Sequence, residues 1–155
     1  MSYRVIIPTA GIGSRLQELT KNLNKSLVSI ENKPILSHII NQFPITTEFV
    51  IALGYKGQLV RDFLELAYPE RKFFFVNVYP YKGRGSGLGY SLWNCKKFLQ
   101  QPFTFISCDT IVKEKIPAPN TNWIGFSNLP KSKDFRTVEI LNNQLMKINE
   151  KKIKQ

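Results

Sequence analysis

The chain has only two cysteines, Cys95 and Cys108, and a single histidine, His38. The cysteines form no CxxC pair, which excludes a cysteine-based zinc site and a disulfide-stapled fold, and we expect both to be small buried apolar residues. One histidine excludes a metal site built from several histidines. No apolar run approaches the ~20 residues that a membrane-spanning helix needs. With two free thiols and no export signal, we expect a cytoplasmic protein.

The 155 residues are 43% hydrophobic and 21% charged, which is typical of a soluble globular domain with a substantial core. We therefore expect a single domain over 1–155. Lysine and arginine number 22 against 11 aspartates and glutamates, so the formal net charge is +11 and anionic ligands are favoured. The basic residues are scattered, with the densest cluster in the tail at 147–154. Neither a membrane nor a specific nucleic acid is therefore expected as a partner.

Short apolar runs alternate with stretches of helical periodicity along most of the chain. We predict strands at 3–7, 48–53, 72–78, 103–107 and 123–126, and helices at 34–43, 58–68 and after the glycines that end at 89. Residues 137–141 and 144–148 flank an Asn-Asn pair that is typical of a two-residue hairpin turn. The alternation predicts an α/β fold of three αβα layers, Rossmann-like, with a mixed, mostly parallel sheet and a late β-hairpin.

The first predicted strand is followed by a glycine-bearing loop at 9–15, which we call the first glycine loop. Because glycine has no side chain, the backbone N–H groups at Gly11 and Gly13 can approach an anion closely. Arg15 can donate two parallel hydrogen bonds to phosphate, and Lys25 can add a positive charge if the chain folds back. An isolated GxG is more often an ordinary turn, and the loop lacks both the third glycine of a dinucleotide fingerprint and the P-loop pattern.

Two further features follow the third and fourth predicted strands, at the sheet edge where open parallel sheets bind ligands. Residues 83–89, the second glycine loop, contain four glycines in seven positions. That density fits either a planar nucleobase lying against Gly85 or Gly87, or a flexible surface turn. Asp109 ends the fourth strand, where a carboxylate can ligate Mg²⁺ or simply cap a turn. The shared position of all three segments favours one common site.

Taken in order, these motifs resemble the signature of the sugar-nucleotide-type nucleotidyltransferases. That family includes the sugar-1-phosphate nucleotidylyltransferases and the phosphocholine cytidylyltransferases. The matching strings are GIGSR at 11–15, NKSL around Lys25, NKPIL at 32–36, GSGL at 85–88 and SCD at 107–109. At motif level the resemblance covers 4–112.

The resemblance implies a reaction, a cofactor and a set of residue roles. A phosphate oxygen of a small acceptor would attack the α-phosphorus of a nucleoside triphosphate and release pyrophosphate, for the synthesis of bacterial surface-polysaccharide precursors such as those of capsule or lipopolysaccharide. The implied roles are triphosphate binding by Ala10, Gly11, Gly13, Ser14 and Arg15, catalytic charge neutralisation by Lys25 with Arg15, base contact by Gly85, Ser86 and Gly87, and Mg²⁺ ligation by Asp109. A sugar-1-phosphate is the first expected acceptor and phosphocholine the alternative. CTP, UTP, dTTP and GTP all remain open as the donor.

The chain departs from the family pattern at three points. Asn24 stands where many members have proline, and Cys108 stands where many have glycine. No second metal-binding aspartate is evident, because Asp62 falls in a predicted helix and Asp134 precedes the hairpin. The resemblance therefore implies that these residues are the N-terminal part of a longer protein. Two rival hypotheses are a nucleotide-binding module without catalysis and a basic protein that binds nucleic acid through its lysines.

Overall fold

The structure is a computed structural model, and it describes residues 3–128 and 136–149. The chain divides into two compact units, Met1–Asn120 and Thr121–Gln155. Asp134 and the lysines after residue 149 lie outside the described residues. Our expectation of a single domain over 1–155 stays a prediction. Within the described ranges, no helix is both long enough and apolar enough to cross a bilayer.

Strands and helices alternate through the first unit, and a hairpin follows in the second. In chain order the elements are β1 (Arg4–Pro8), β2 (Ser29–Ile30), β3 (Lys33–Pro34), α1 (Ile35–Ile40), β4 (Glu48–Leu53), α2 (Gly57–Ala67), β5 (Phe73–Asn77), α3 (Leu88–Asn94), β6 (Phe103–Phe105), β7 (Thr137–Leu141) and β8 (Gln144–Asn149). The main sheet has the order β5-β4-β1-β6, and all of its pairings are parallel. Strands β2 and β3 form a separate two-residue antiparallel pair.

The sheet is covered on both faces, which is why its central strands are apolar on both sides. Val5 and Ile7 of β1 pack with residues of α1 and α2, whereas Ile6 packs with Cys95, which follows α3. All three β1 side chains are completely buried. Continuous apolar runs of this kind are typical of central parallel strands with helices on either side. The predicted three-layer, mostly parallel α/β fold is confirmed.

Helix α1 is shorter than the sequence pattern predicts. It ends at Ile40, and the chain continues to Phe43 through tighter bonds, such as those from the Gln42 and Phe43 amides to the carbonyls three residues earlier. Phe43 is nevertheless buried, because the tight turn keeps it against the core. Hydrophobic periodicity therefore located the apolar face correctly and overestimated the length of the helix.

The second unit contains the predicted hairpin and lacks one predicted strand. Strands β7 and β8 pair in antiparallel fashion around Asn142 and Asn143, which both have positive φ, as a tight hairpin turn requires. The prediction of a strand at 123–126 is wrong, because that segment has no regular structure. Trp123 and Phe126 are exposed, and no strand in the described residues pairs with them. A short apolar run does not form a strand without a hydrogen-bonding partner.

Candidate functional site

A cavity of about 290 Å³ lies in the first unit beyond the carboxyl ends of β1 and β6. Strand β1 has β4 on one side and β6 on the other, so the strand order reverses there. Open α/β sheets bind ligands at such a switch point. The cavity is lined by Pro8, Ala10, Gly11, Gly13, Lys25, Tyr81, Gly87, Leu88, Ser91, Phe105, Ser107 and Cys108. Both glycine loops and the end of the fourth strand of the main sheet therefore meet at one place.

The first glycine loop is fixed by close contacts at Gly13. This residue has φ of +71°, and a Cβ atom there would lie 3.0 Å from Cβ of Lys25 and 3.1 Å from Cγ2 of Thr20. Both the backbone conformation and the space therefore require glycine. Among the described residues, the N–H groups of Gly11, Ile12 and Gly13 donate no hydrogen bond to the protein. They remain available as donors to an anion in the cavity.

The end of β4 supports the same loop from below. A Cβ atom on Gly54 would lie 2.5 Å from the Ala10 carbonyl oxygen, so only glycine allows this approach. The next residue, Tyr55, donates its backbone N–H to that carbonyl at 3.0 Å. Its phenol group donates at 2.9 Å to the carbonyl of Thr20, which follows the loop in the chain. These contacts therefore hold the loop against the residues that follow β4.

Lys25 and Asp109 form an ion pair at the cavity, although they are far apart in the sequence. The second carboxylate oxygen of Asp109 accepts a hydrogen bond from the hydroxyl of Ser107. Partial burial pushes the pKa of Asp109 upward, but the bonds from Lys25 and Ser107 outweigh that effect and hold the pKa below its usual value. Asp109 is therefore a carboxylate at neutral pH.

The donor set at this position fits a magnesium ion that shares its coordination with substrate phosphates. Mg²⁺ prefers oxygen ligands and often takes only one or two carboxylates, with phosphates and water completing the shell. Asp109 supplies a carboxylate that is already ionised, and Ser107 supplies a neighbouring hydroxyl oxygen. In 3–128 and 136–149, no cluster of three or more histidines, cysteines, aspartates and glutamates could hold a metal by itself. The ion would therefore depend on the nucleotide for most of its ligands.

The glycines of the second glycine loop have no such close neighbours. Gly83, Gly85 and Gly87 have φ of +80°, +85° and +151°, but a Cβ atom on any of them would find no atom within 4 Å. The loop is closed by its own turn, in which Ser86 donates its backbone N–H and its hydroxyl to the Gly83 carbonyl at 3.2 and 2.7 Å. Only Gly87 among the loop's predicted base-contacting residues lines the cavity. The open space beside these glycines can accept a ligand.

Several predicted site residues lie at the cavity and others lie outside its lining. Ala10, Gly11, Gly13, Lys25 and Gly87 line it. The lining does not include Ser14, Arg15, Gly85, Ser86 or Asp109. Asp109 reaches the cavity's edge through its ion pair with Lys25, and Arg15 is exposed. Their assigned roles stay predictions. Cys95 and Cys108 are buried as expected, and burial raises the pKa of each thiol to about 11.

Sequence reasoning missed three side chains that shape the cavity. Tyr81 lies 6.4 Å from the ring of Tyr55, which links the entry to the second glycine loop with the end of β4. Ser91 lies one turn into α3 and donates its hydroxyl to the Gly87 carbonyl at 3.1 Å. Phe105 is 39% exposed and ends β6. The sequence offered two signals for these residues. One was an aromatic residue just before the second glycine loop, and the other was a serine four residues after Gly87.

Two curated proteins of known name are similar to this chain in sequence. The chain is 27% identical over 157 residues to the bifunctional protein GlmU of Methanococcus vannielii, an alignment that covers 96% of this chain and 36% of that one. It is 39% identical over 62 residues to a probable glucose-1-phosphate cytidylyltransferase of Bacillus subtilis, covering 39% of this chain and 24% of the relative. No protein-family model matches.

The fold has close counterparts among solved structures. A putative glucose-1-phosphate thymidylyltransferase from Bacillus anthracis superposes with a TM-score of 0.70 at 17% identity, covering 97% of this chain and 65% of that one. At this identity the likeness shows the fold. The alignment with GlmU runs along nearly the whole of this chain, and the chain spans about a third of the length of GlmU.

Proposed function

This chain is a member of the sugar-nucleotide-type nucleotidyltransferase family, and we propose that it transfers a nucleoside monophosphate from a nucleoside triphosphate to a phosphorylated small molecule. The proposal is carried by one observation, namely the pairing of Lys25 with Asp109 at a cavity that both glycine loops line. A cation, a carboxylate and unpaired backbone N–H groups are the groups that a metal-bound triphosphate requires.

In the proposed reaction, an oxygen of the acceptor phosphate forms a bond to the α-phosphorus of the donor. The bond from that phosphorus to the bridging oxygen breaks, and pyrophosphate leaves with the electron pair. The N–H groups of Gly11 and Gly13 bind the triphosphate oxygens, and the ammonium group of Lys25 offsets the charge that develops at the α-phosphate. Ser14 and the exposed Arg15 contact the outer phosphates. No covalent enzyme intermediate is required, so catalysis consists of positioning and charge neutralisation.

Asp109 would hold Mg²⁺ together with the phosphates, and the ion when bound would polarise the phosphoryl oxygens. The pairing of Asp109 with Lys25, which lines the cavity, keeps this carboxylate ionised and beside the cavity. When the phosphates arrive, Lys25 has a second anion to which it can move. Of this ion pair, Asp109 would therefore bind the metal ion and Lys25 would bind the phosphates.

A sugar-1-phosphate is the proposed acceptor, since glucose 1-phosphate is in the names of two of the similar proteins. Phosphocholine is the alternative acceptor. Gly85, Ser86 and Gly87 of the second glycine loop would contact the base of the donor. The product would be a precursor for surface-polysaccharide synthesis. A cytoplasmic location fits this chemistry, because nucleoside triphosphates are found there and both cysteines are free thiols.

The test is pyrophosphate release by the purified chain. It is incubated with each of CTP, UTP, dTTP and GTP, with Mg²⁺, and with glucose 1-phosphate or phosphocholine as acceptor. We expect release that requires both donor and acceptor, with one donor strongly preferred. Tight nucleotide binding without any release would instead support the rival of a non-catalytic binding module, and salt-sensitive DNA binding alone would support the rival of a nucleic-acid-binding protein.

Two variants and one matched control test the assignments. We expect Lys25→Ala and Asp109→Ala each to lower turnover by about 100- to 1,000-fold, because each removes a charge that acts on the transferred phosphate. Lys72→Ala is the control, since Lys72 also pairs with a carboxylate, that of Glu48, at the opposite edge of the sheet. Turnover that survives in both cavity variants, or that falls equally in the control, would contradict the proposal.

A further inference from the structure

Asn24, the residue directly before Lys25, has an unusual position for a polar side chain. It is completely buried, and it begins the short 3-10 turn that carries Lys25. Burying an amide costs free energy unless its hydrogen-bonding groups find partners. The presence of this side chain in the core beside the cavity therefore needs a physical reason.

The side chain satisfies all of its hydrogen-bonding capacity, and its four bonds reach three different parts of the site. Its Nδ2 donates to the Thr9 carbonyl at 2.9 Å and to the Tyr55 carbonyl at 2.6 Å. Its Oδ1 accepts from the backbone N–H of Ser26 at 3.0 Å and from the Ser26 hydroxyl at 2.9 Å. One amide thus joins the end of β1, the end of β4 and the turn that carries Lys25.

The geometry beside Lys25 shows what this junction controls. The side chain of Lys25 packs so closely on Gly13 that a Cβ atom there would be 3.0 Å from Cβ of Lys25. Both ends of this contact are tied to Asn24, one through Thr9 at the start of the first glycine loop and the other through the peptide bond to Lys25. Buried networks in which every group is satisfied are rigid and specify one arrangement.

We propose that Asn24 is the positioning residue that sets Lys25 against the first glycine loop, so that the ammonium group stands over the phosphates. The inference rests on the proposed function for the role of Lys25, and on the hydrogen bonds alone for its placement. A proline in this position would only fix φ, and Asn24 already has φ of −71°, close to the value that proline imposes. The side chain adds the cross-links that a proline ring cannot form.

Two substitutions remove these cross-links in different ways. Asn24→Pro keeps a compatible φ and deletes all four side-chain bonds. Asn24→Asp keeps the shape and the acceptor for Ser26, but it places a carboxylate oxygen against the Thr9 and Tyr55 carbonyls. If one variant does not fold, the other provides the same comparison. Val60→Ala is the control for lost stability, because Val60 is completely buried in α2 and does not line the cavity.

The kinetic test is a double-mutant cycle with Lys25→Ala. We expect Asn24→Pro to lower kcat by about 10- to 100-fold, with KM for the acceptor nearly unchanged, because a misplaced charge acts on the transition state. In the Lys25→Ala background the same substitution should change kcat by less than about twofold. An equal loss in both backgrounds would overturn the proposal and leave Asn24 as a general support of the fold.

A second readout needs no activity at all. In the protein without nucleotide, nuclear Overhauser contacts between Gly13 and the Lys25 side chain should be present in the unsubstituted chain and in Val60→Ala. These contacts should be lost in both Asn24→Pro and Asn24→Asp. Contacts that persist in both Asn24 variants would overturn the proposal. This result decides the placement even if no pyrophosphate is ever released, so failure of the proposed function and failure of this inference remain distinguishable.

Discussion

The two glycine loops at the cavity differ in their surroundings. A Cβ atom at Gly13 in the first loop would meet Lys25 and Thr20 at 3.0–3.1 Å. A Cβ atom at Gly83, Gly85 or Gly87 in the second loop would meet nothing within 4 Å. The first loop is therefore shaped by packing, and the second by its own turn.

This difference matches the tasks that we assign to the loops. Triphosphate oxygens have the same geometry in every nucleotide, so a rigid, preorganised cradle binds them without reorganisation. Bases differ in shape, and an open glycine loop leaves room for whichever base the proposed donor carries. Substitutions in the two loops should therefore have different consequences, and the predictions below begin with the largest effect.

The largest effect is expected for Gly13→Ala. The new methyl group would collide with Lys25 and would force an alanine to adopt φ of +71°. We expect the free energy of unfolding to fall by about 2–4 kcal/mol and nucleotide affinity to be lost. Chemical denaturation and calorimetric titration with a triphosphate measure the two quantities. A stable variant with normal affinity would show that packing does not shape the first loop.

Gly11→Ala tests triphosphate binding by the first glycine loop without disturbing the fold. A Cβ atom there meets no protein atom within 4 Å, and the backbone does not need glycine. We expect unchanged stability and a loss of triphosphate affinity of about tenfold, because the methyl group would stand where a phosphate approaches the N–H groups. Gly125→Ala in the second unit is the matched control, since a Cβ atom there would only touch Trp123 at 4.0 Å. Equal triphosphate affinity in both variants would show that phosphates do not bind at the first glycine loop.

Gly85→Ala should have a smaller effect that is confined to the second loop. The strain of an alanine with φ of +85° costs about 1 kcal/mol, and the loop can relax because no neighbour blocks it. We expect a modest fall in the free energy of unfolding and a change in preference among the four triphosphates. Affinity for inorganic triphosphate, which has no base, should stay the same. A parallel loss of affinity for inorganic triphosphate would mean that the second loop binds phosphates.

The smallest effect is expected for Ser86→Ala, which removes one of the two hydrogen bonds that close the second loop. An exposed bond of this kind contributes about 0.5–1.5 kcal/mol at most. We expect faster amide hydrogen exchange at 83–87 and unchanged exchange in the first loop. Faster exchange in both loops would indicate that they are coupled rather than independently held.

The sequence was sufficient to predict the layers, the sheet edge and the meeting of both loops, because these follow from strand–helix alternation and glycine placement. It was not sufficient to predict the partners of Asn24. Its hydrogen bonds to Thr9 and Tyr55 depend on tertiary contacts that no local pattern encodes. The same limit explains 123–126, where a short apolar run predicted a strand but the described residues contain no partner for it.

A structure of the chain with a bound nucleoside triphosphate and Mg²⁺ tests the central claim most directly. We predict phosphate oxygens within hydrogen-bonding distance of the Gly11 and Gly13 N–H groups, Lys25 on the α-phosphate, and Asp109 on the metal. A triphosphate bound away from the first glycine loop, with the Lys25–Asp109 pair undisturbed, would contradict the account.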